Sequence, residues 1–282
     1  MKTLSWSLLA IATFMFVSCS NDLSEVQTPS SEVNPSVDSR SEGDKSVRFI
    51  YHGKVYESNY VMLNDSVCLY QQPEVDELAQ KFDQMQGLVS FCYPNKEIEY
   101  FDDEEDFQSE FTRIQDKVEY LAQNLKDSYY IIGHEALQVP VPYPVDLSNH
   151  DAELWLYDDV AYLDRREDLY LNHGEHIFEW AHLKDTYGMN DKTSSFIAFS
   201  IGGTTLFELY EDDHYKSHCM KFLLPRTGEI SITGAYSILP NRTFGVAWAV
   251  DLRDCAVVGT KRSSWNDRIT SVRLTRISNL AK

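Results

Sequence analysis

The chain of 282 residues carries one hexapeptide twice, Asn190-Asp191-Lys192-Thr193-Ser194-Ser195 and Asn266-Asp267-Arg268-Ile269-Thr270-Ser271. Asn and Asp offer side-chain oxygens, Ser and Thr offer hydroxyls, and a turn offers backbone carbonyls. These are the donors calcium takes, six to eight at a time and at flexible geometry. One hexapeptide cannot complete such a shell, so two adjacent turns would have to share ions. The same residues also have a metal-free use. Asn-Asp turns followed by Ser form side-chain-to-backbone hydrogen bonds with no ion present. The acids inside the repeats are Asp191 and Asp267. So few formal charges imply weak binding, suited to extracellular calcium levels.

Each hexapeptide closes a longer repeated order. The first stretch runs Leu154-Trp155-Leu156-Tyr157-Asp158-Asp159, Tyr162, Leu183, Gly188, the hexapeptide and then Phe196-Ile197-Ala198-Phe199. The second runs Leu206-Phe207-Glu208-Leu209-Tyr210-Glu211-Asp212, Tyr215, Leu252, the hexapeptide and then Val272-Arg273-Leu274. In both, two Tyr stand five residues apart, Tyr157 with Tyr162 and Tyr210 with Tyr215. Short aromatic runs separated by turns, without a long amphipathic helix, predict an all-β sandwich over residues 151–282.

This order resembles the βγ-crystallin superfamily, whose Greek-key units pair an aromatic hairpin with a late (Asn/Asp)-(Asn/Asp)-x-x-(Ser/Thr)-Ser stretch. The resemblance covers about residues 151–278 and includes Trp265, just ahead of the second hexapeptide. It implies two Greek keys with calcium clamped between the two stretches. The ligands it implies are Asn190, Asp191, Lys192 through its backbone, and Ser194. Their counterparts are Asn266, Asp267, Arg268 through its backbone, and Thr270, with Asp158 and Glu211 at the hairpin position.

Two features depart from the family pattern. The family places Gly two residues after the second aromatic, at a positive-φ kink, whereas this chain has Asp164 and Ser217. Ser fits left-handed backbone poorly, which predicts a modified hairpin in the second unit. The second unit is also longer. Tyr157 to Asn190 is 33 residues, Tyr210 to Asn266 is 56, and the extra 23 fall within Pro225 to Trp248. That insert is expected to form an added hairpin from Ile230–Ile232 and Phe244–Val250.

Residues 46–137 read as a small α+β domain of no recognised family. Val47–Tyr51 and Lys54–Tyr56 flank a His52-Gly53 turn, and Tyr60–Leu63 with Val67–Tyr70 repeat the pattern. A helix is expected from Pro73, with Val75, Leu78, Phe82 and Met85 on one stripe and Gly87 closing it. Strands follow at Leu88–Tyr93 and Ile98–Phe101. A longer helix is expected over Glu104–Lys126, its stripe formed by Phe107, Phe111, Ile114, Val118, Leu121 and Leu125. The acidic run Asp102–Asp106 complements the start of that helix. Residues 138–150 include Val139-Pro-Val-Pro-Tyr-Pro-Val145, a semi-rigid extended linker.

The N-terminus reads as an export signal over residues 1–18. Lys2 precedes an apolar run, Leu4–Val17, too short to span a bilayer. It ends Phe16-Val17-Ser18-Cys19, which resembles the lipobox of bacterial lipoproteins, with Phe16 where Leu is usual. The resemblance implies cleavage before Cys19 and acylation of its thiol, giving a membrane anchor without a spanning helix. Residues 19–45 are a polar tether expected to be disordered. The remaining cysteines are Cys68, Cys92, Cys219 and Cys255. Export permits disulfides, and the domain-local pairing would be Cys68–Cys92 and Cys219–Cys255; buried thiols are the alternative.

The formal charge is −19, against phosphate-mediated nucleic-acid binding. Residues 47–150 hold 7 Lys+Arg against 19 Asp+Glu, and residues 151–282 hold 15 against 19, so the acidity belongs to the first half. There is no Gly-x-Ser-x-Gly elbow, Walker loop or dinucleotide fingerprint, and His173-x-x-His176 lacks the zinc-protease arrangement. The expectation is a non-enzymatic, calcium-binding lipoprotein of the outer membrane or cell surface. Two alternatives stand beside it. One is a proteinase inhibitor using the 225–248 insert as its reactive segment. The other is a metal-free module binding an extracellular protein or glycan.

Overall fold

The structure is a computed structural model and describes residues 45–63, 67–95, 97–124, 149–159, 164, 166–183, 188–225, 229–231, 245–249, 252, 258–259 and 264–277. The signal segment, Cys19, the rest of the tether up to residue 44 and all but two residues of the 138–150 linker lie outside them, while Lys45, expected in the tether, opens the first strand.

In the first half, β1 (Lys45–Tyr51) and β2 (Lys54–Leu63) form an antiparallel hairpin. His52 and Gly53 have φ of 48° and 72°, the doubly left-handed geometry of a two-residue hairpin turn. β3 (Val67–Tyr70) pairs with β2 as expected. α1 (Pro73–Phe82) begins on its Pro, where the missing N–H costs nothing, and buries Val75, Ala79 and Phe82. β4 (Val89–Cys92) and β5 (Ile98–Phe101) pair antiparallel, and β5 runs parallel to β1.

The long helix expected over 104–126 is two helices, α2 (Glu104–Ser109) and α3 (Phe111–Asn124). Glu110 breaks the run at φ −97° and ψ −2°, with its N–H donating to the Phe107 carbonyl three residues back. The apolar stripe survives the break, because Phe107, Ile114 and Val118 are all fully buried. Asp103 caps α2 by accepting from the Asp106 N–H at 2.9 Å.

The second half contributes β6 (His150–Tyr157), β7 (Arg166–Asn172), β8 (Ile177–Trp180) and β9 (Ser195–Ser200). It continues with β10 (Thr204–Asp212), β11 (Lys216–Leu224), β12 (Glu229–Ser231), β13 (Gly245–Ala249) and β14 (Ser271–Ile277). One sheet has the order β12-β13-β9-β6-β7 and the other β3-β2-β1-β5-β4-β11-β10-β14-β8. Each unit therefore lends strands to the other unit's sheet: β8 pairs with β14, and β13, with β12 beside it, pairs with β9. The mainly β, two-unit sandwich is as the sequence implied. Its core lies between the sheets, with Phe196, Phe207 and Phe222 stacked at centroid distances of 5.5 and 5.0 Å and Trp265 buried beside them.

The hydrogen bonding does not stop between the halves. β4 runs parallel to β11, with Val89, Ser90 and Phe91 opposite Cys219, Met220 and Lys221. All described residues lie in one compact unit, Glu42–Lys282. The α2–α3 pair spreads over this junction and shares a core with Leu206, Leu223 and Ile277 of the sandwich.

Two expectations are corrected. Cys68 and Cys92 are buried thiols and form no disulfide with each other, and Cys219 is a buried thiol too. Cys68 on β3 and Cys92 on β4 are separated by four strand spacings, about 19 Å, whereas a disulfide needs Cα atoms within about 7 Å. Cys255 lies outside the described residues. The insert does not form a hairpin, because β12 and β13 are parallel. The residues that connect them, 232–244, lie outside the described residues together with most of the expected reactive segment.

A buried ion cluster pins the helices to the sandwich. Lys221 is fully buried, its Nζ donates to Glu208 at 2.6 Å and to Glu104 of α2, and it sits 4.5 Å above the Phe107 ring. Without Lys221, Glu208, which is 3% exposed, keeps the Tyr210 hydroxyl at 3.0 Å but loses its nearest countercharge, leaving Arg273 at 4.0 Å. Lys221→Met should cost about 3–5 kcal/mol in urea unfolding, and the Lys221→Met/Glu208→Met double variant well under the sum of its singles. A double-variant cost equal to the sum of the two single costs would show that the charges are not coupled.

Candidate metal centre

Each hexapeptide leads into the last strand of its unit, β9 or β14, and matched bonds hold its shape. The Ser194 N–H donates to the Tyr157 carbonyl at 2.9 Å, and the Thr270 N–H to the Tyr210 carbonyl at 2.9 Å. The last serines tie back to the hairpins, Ser195 Oγ to the Asp159 carbonyl at 2.6 Å and Ser271 Oγ to the Asp212 carbonyl at 2.7 Å. The repeated leucines explain themselves here: Leu252 N–H donates to the Ser194 carbonyl at 2.8 Å, and Leu183 N–H to the Thr270 carbonyl at 2.9 Å. These last two bonds run between the units, so each turn is held partly by the other half of the repeat.

The side chains also cross. Ser194 Oγ donates to Asp267 Oδ1 at 3.2 Å, and Thr270 Oγ1 donates to Asp191 Oδ1 at 3.0 Å. The second oxygen of each Asp accepts from the preceding amide, Asn190 Nδ2 at 2.5 Å and Asn266 Nδ2 at 2.6 Å. Asp191 and Asp267 both have left-handed backbones, φ 49° and 55°, a region Asp tolerates better than most residues. The structure thus pairs Asp191 with Thr270 and Asp267 with Ser194, as a shared ion would require.

A cleft of about 520 Å³ opens beside the first pair, lined by Asn190, Asp191, Thr270 and the β10–β11 hairpin residues Glu211, Asp212, Asp213, His214 and Lys216. The β10–β11 register slips between Tyr210 and Asp212, placing Glu211 in a bulge. Glu211 Oε1 accepts from Arg268 Nη1 at 2.9 Å. Asp213, His214 and Lys216 were not read from the sequence as site residues. Their signal was available, since they follow the hairpin acid directly. Asp158 is half-buried at the matching end of β6, beside Asp159, and Lys192 is exposed.

The donor set fits a hard divalent cation. Both hexapeptides offer oxygen alone, without sulfur or imidazole. Asn266 Oδ1 and Thr193 Oγ1 are buried and lack a hydrogen-bond partner, so the turns hold oxygen capacity that the protein does not satisfy. A second group, His52, Asp102 and Asp106, brings one ligand atom each to within 4.8 Å. Its atoms are used in the fold: Asp102 Oδ1 accepts from Tyr51 and pairs with His52 at 3.2 Å, and Asp106 Oδ2 accepts the Asp102 N–H at 3.1 Å. His173 of the His173-x-x-His176 pair contacts Asp151 at 2.9 Å.

The missing glycines do not alter the kinks. Asp164 and Ser217 keep left-handed φ, 61° and 62°, correcting the expectation of a modified second hairpin. The cost of holding Ser there is about 1 kcal/mol. Ser217→Gly should therefore raise stability by about that amount in denaturant unfolding. A loss instead would mean that the 3.5 Å contact from Ser217 Oγ to Glu211 outweighs the backbone strain.

No family model matches the chain, and no curated protein matches it. A solved structure described as "Evolution of the eye lens beta-gamma-crystallin domain fold" is similar to it at 15% identity, covering 52% of this chain and 95% of that one, with a TM-score of 0.27.

Proposed function

We propose that the sandwich is a βγ-crystallin-like, calcium-binding module of an exported lipoprotein, anchored to the outer membrane or cell surface through acylated Cys19. The protein would serve the cell envelope as a structural or binding component. The observation that carries the calcium reading is the reciprocal pairing of Asp191 with Thr270 and of Asp267 with Ser194 across the units.

Calcium would supply a positive charge that several oxygens can share. Asp191, Thr270 and carbonyls of the 211–213 hairpin would hold one ion. Asp267, Ser194 and the hairpin at Asp158–Asp159 would hold the other. The chain's own part is to aim oxygens from both units at one place. An ion bound there favours the folded over the unfolded state, because the unfolded chain cannot bring the two hexapeptides together.

At calcium tenfold above its dissociation constant, each site adds about 1.4 kcal/mol of stability. The melting temperature should therefore rise in millimolar CaCl2 relative to chelator, and Asp191→Ala/Asp267→Ala should abolish the rise. A folded wild type that melts identically in both would overturn the calcium reading. Anchoring is tested separately. Cys19→Ser should release the protein from the membrane fraction of the expressing cell, and retention of the variant there would refute the lipid anchor.

A further inference from the structure

The two hexapeptides match closely in their side-chain bonds; in the backbone, the Asp267 N–H adds a bond to the Thr193 carbonyl at 3.1 Å. The matched bonds include the Tyr carbonyls, the serine tethers, the leucine N–H groups, the Asn–Asp pairs and the crossed hydroxyls. At the third residue the match fails. Arg268 reaches Glu211 of the second hairpin at 2.9 Å, while its counterpart Lys192 is exposed to solvent.

Glu211 is the least solvent-exposed carboxylate of the cleft, with its side chain 16% exposed. Its neighbours Asp191, Asp212 and Asp213 are half-exposed or exposed, so water and salt weaken their fields more. Glu211 should therefore attract a cation in that cleft strongly. Its charge is already met by a guanidinium attached to the same chain, with Ser217 Oγ at 3.5 Å and His218 Nδ1 at 3.9 Å beside it. An ion entering the cleft meets a field from which the best-buried negative charge has been cancelled, and Lys216 on the cleft wall reduces it further.

We infer that Arg268 is a resident countercharge that lowers the affinity of the Asp191–Thr270 cleft for calcium and makes the two ion positions unequal. This rests on the calcium reading above. The Arg268 carbonyl remains a candidate ligand, and the inference concerns its side chain alone. Arg268 has two opposed effects: it stabilises the ion-free protein by pairing Glu211, and it weakens the ion-bound one.

Calorimetric titration of the full chain with CaCl2 tests this. The wild type should bind in two unequal steps. Thr270→Ala should remove the weaker step, assigning it to the cleft. Arg268→Gln should strengthen that step about fivefold, and Arg268→Lys, which keeps the charge, should leave it near wild type. Thermal melting gives an independent readout. Arg268→Gln should melt below wild type in chelator and close the gap in calcium, whereas a purely structural arginine would lower both midpoints. Two equal steps in the wild type, or a weaker step unmoved by Arg268→Gln, would overturn the inference and leave calcium binding standing. No binding heat in any variant would overturn both.

Discussion

The candidate site depends on the exchange of strands between the two units. β8 leaves the first unit to pair with β14, and β13 leaves the second to pair with β9. Neither unit closes its own sheet. After each exchanged strand the chain returns to its own unit in that unit's last strand, and the hexapeptides lead into β9 and β14. They lie side by side there, Asp191 meeting Thr270 and Asp267 meeting Ser194. A site drawn equally from both repeats is thus a consequence of topology, and loops that happened to approach each other would not give it.

The turns at that crossing are strained, and matched bonds hold the strain. Asp164, Asp191, Ser217 and Asp267 all have positive φ, and so do His214 and Tyr215. Left-handed backbone in such residues persists only where the surroundings over-determine it. Here the hydroxyls of Ser195 and Ser271 fix the hairpin carbonyls, and the second also receives the Tyr215 N–H at 3.1 Å. The Tyr215 ring meets Tyr210 at 5.5 Å and lies under Arg273 at 4.4 Å. The Tyr210–Tyr215 pair therefore belongs to the scaffold that clamps the second hairpin.

What could be read in the sequence depended on range. The hexapeptides, their Tyr pairs and the first hairpin are local patterns, and the structure brings the hexapeptide residues together as their duplication implied. The φ of Ser217 could not be read, because propensity argues against it and only the surrounding bonds hold it in place. The bulge at Glu211 and its Arg268 partner were hidden for a related reason: a one-residue slip in pairing leaves no mark in composition. Glu110 ends a helix inside an unbroken apolar stripe, since a short break still keeps Phe107, Ile114 and Val118 facing one core. The junction of β4 with β11 is the deepest omission. Parallel pairing joins segments far apart in the chain, and no spacing rule announces it.

That junction changes what the first half can be. A sandwich sheet with β11 at its edge would present unpaired backbone along that strand and an outer face bearing Leu206 and Leu223. β4 closes the edge, and α2 and α3 cover the face. The polar residues under the helices are then in low dielectric, so Lys221 must find carboxylates, and it takes one from each side of the junction, Glu208 and Glu104. On the same strand, three residues before Lys221, His218 Nε2 donates to the Met85 carbonyl at 3.1 Å while its other ring nitrogen lies 3.9 Å from Glu211. β11 thus carries contacts to the first half at His218 and Lys221 and at its start borders the hairpin that lines the cleft. An ion that stiffened Glu211 and Asp212 would act on a strand whose partners include both the sandwich and β4. Its stabilisation would therefore be shared by the first half through the sheet, with no need for a separate contact between ion and helices.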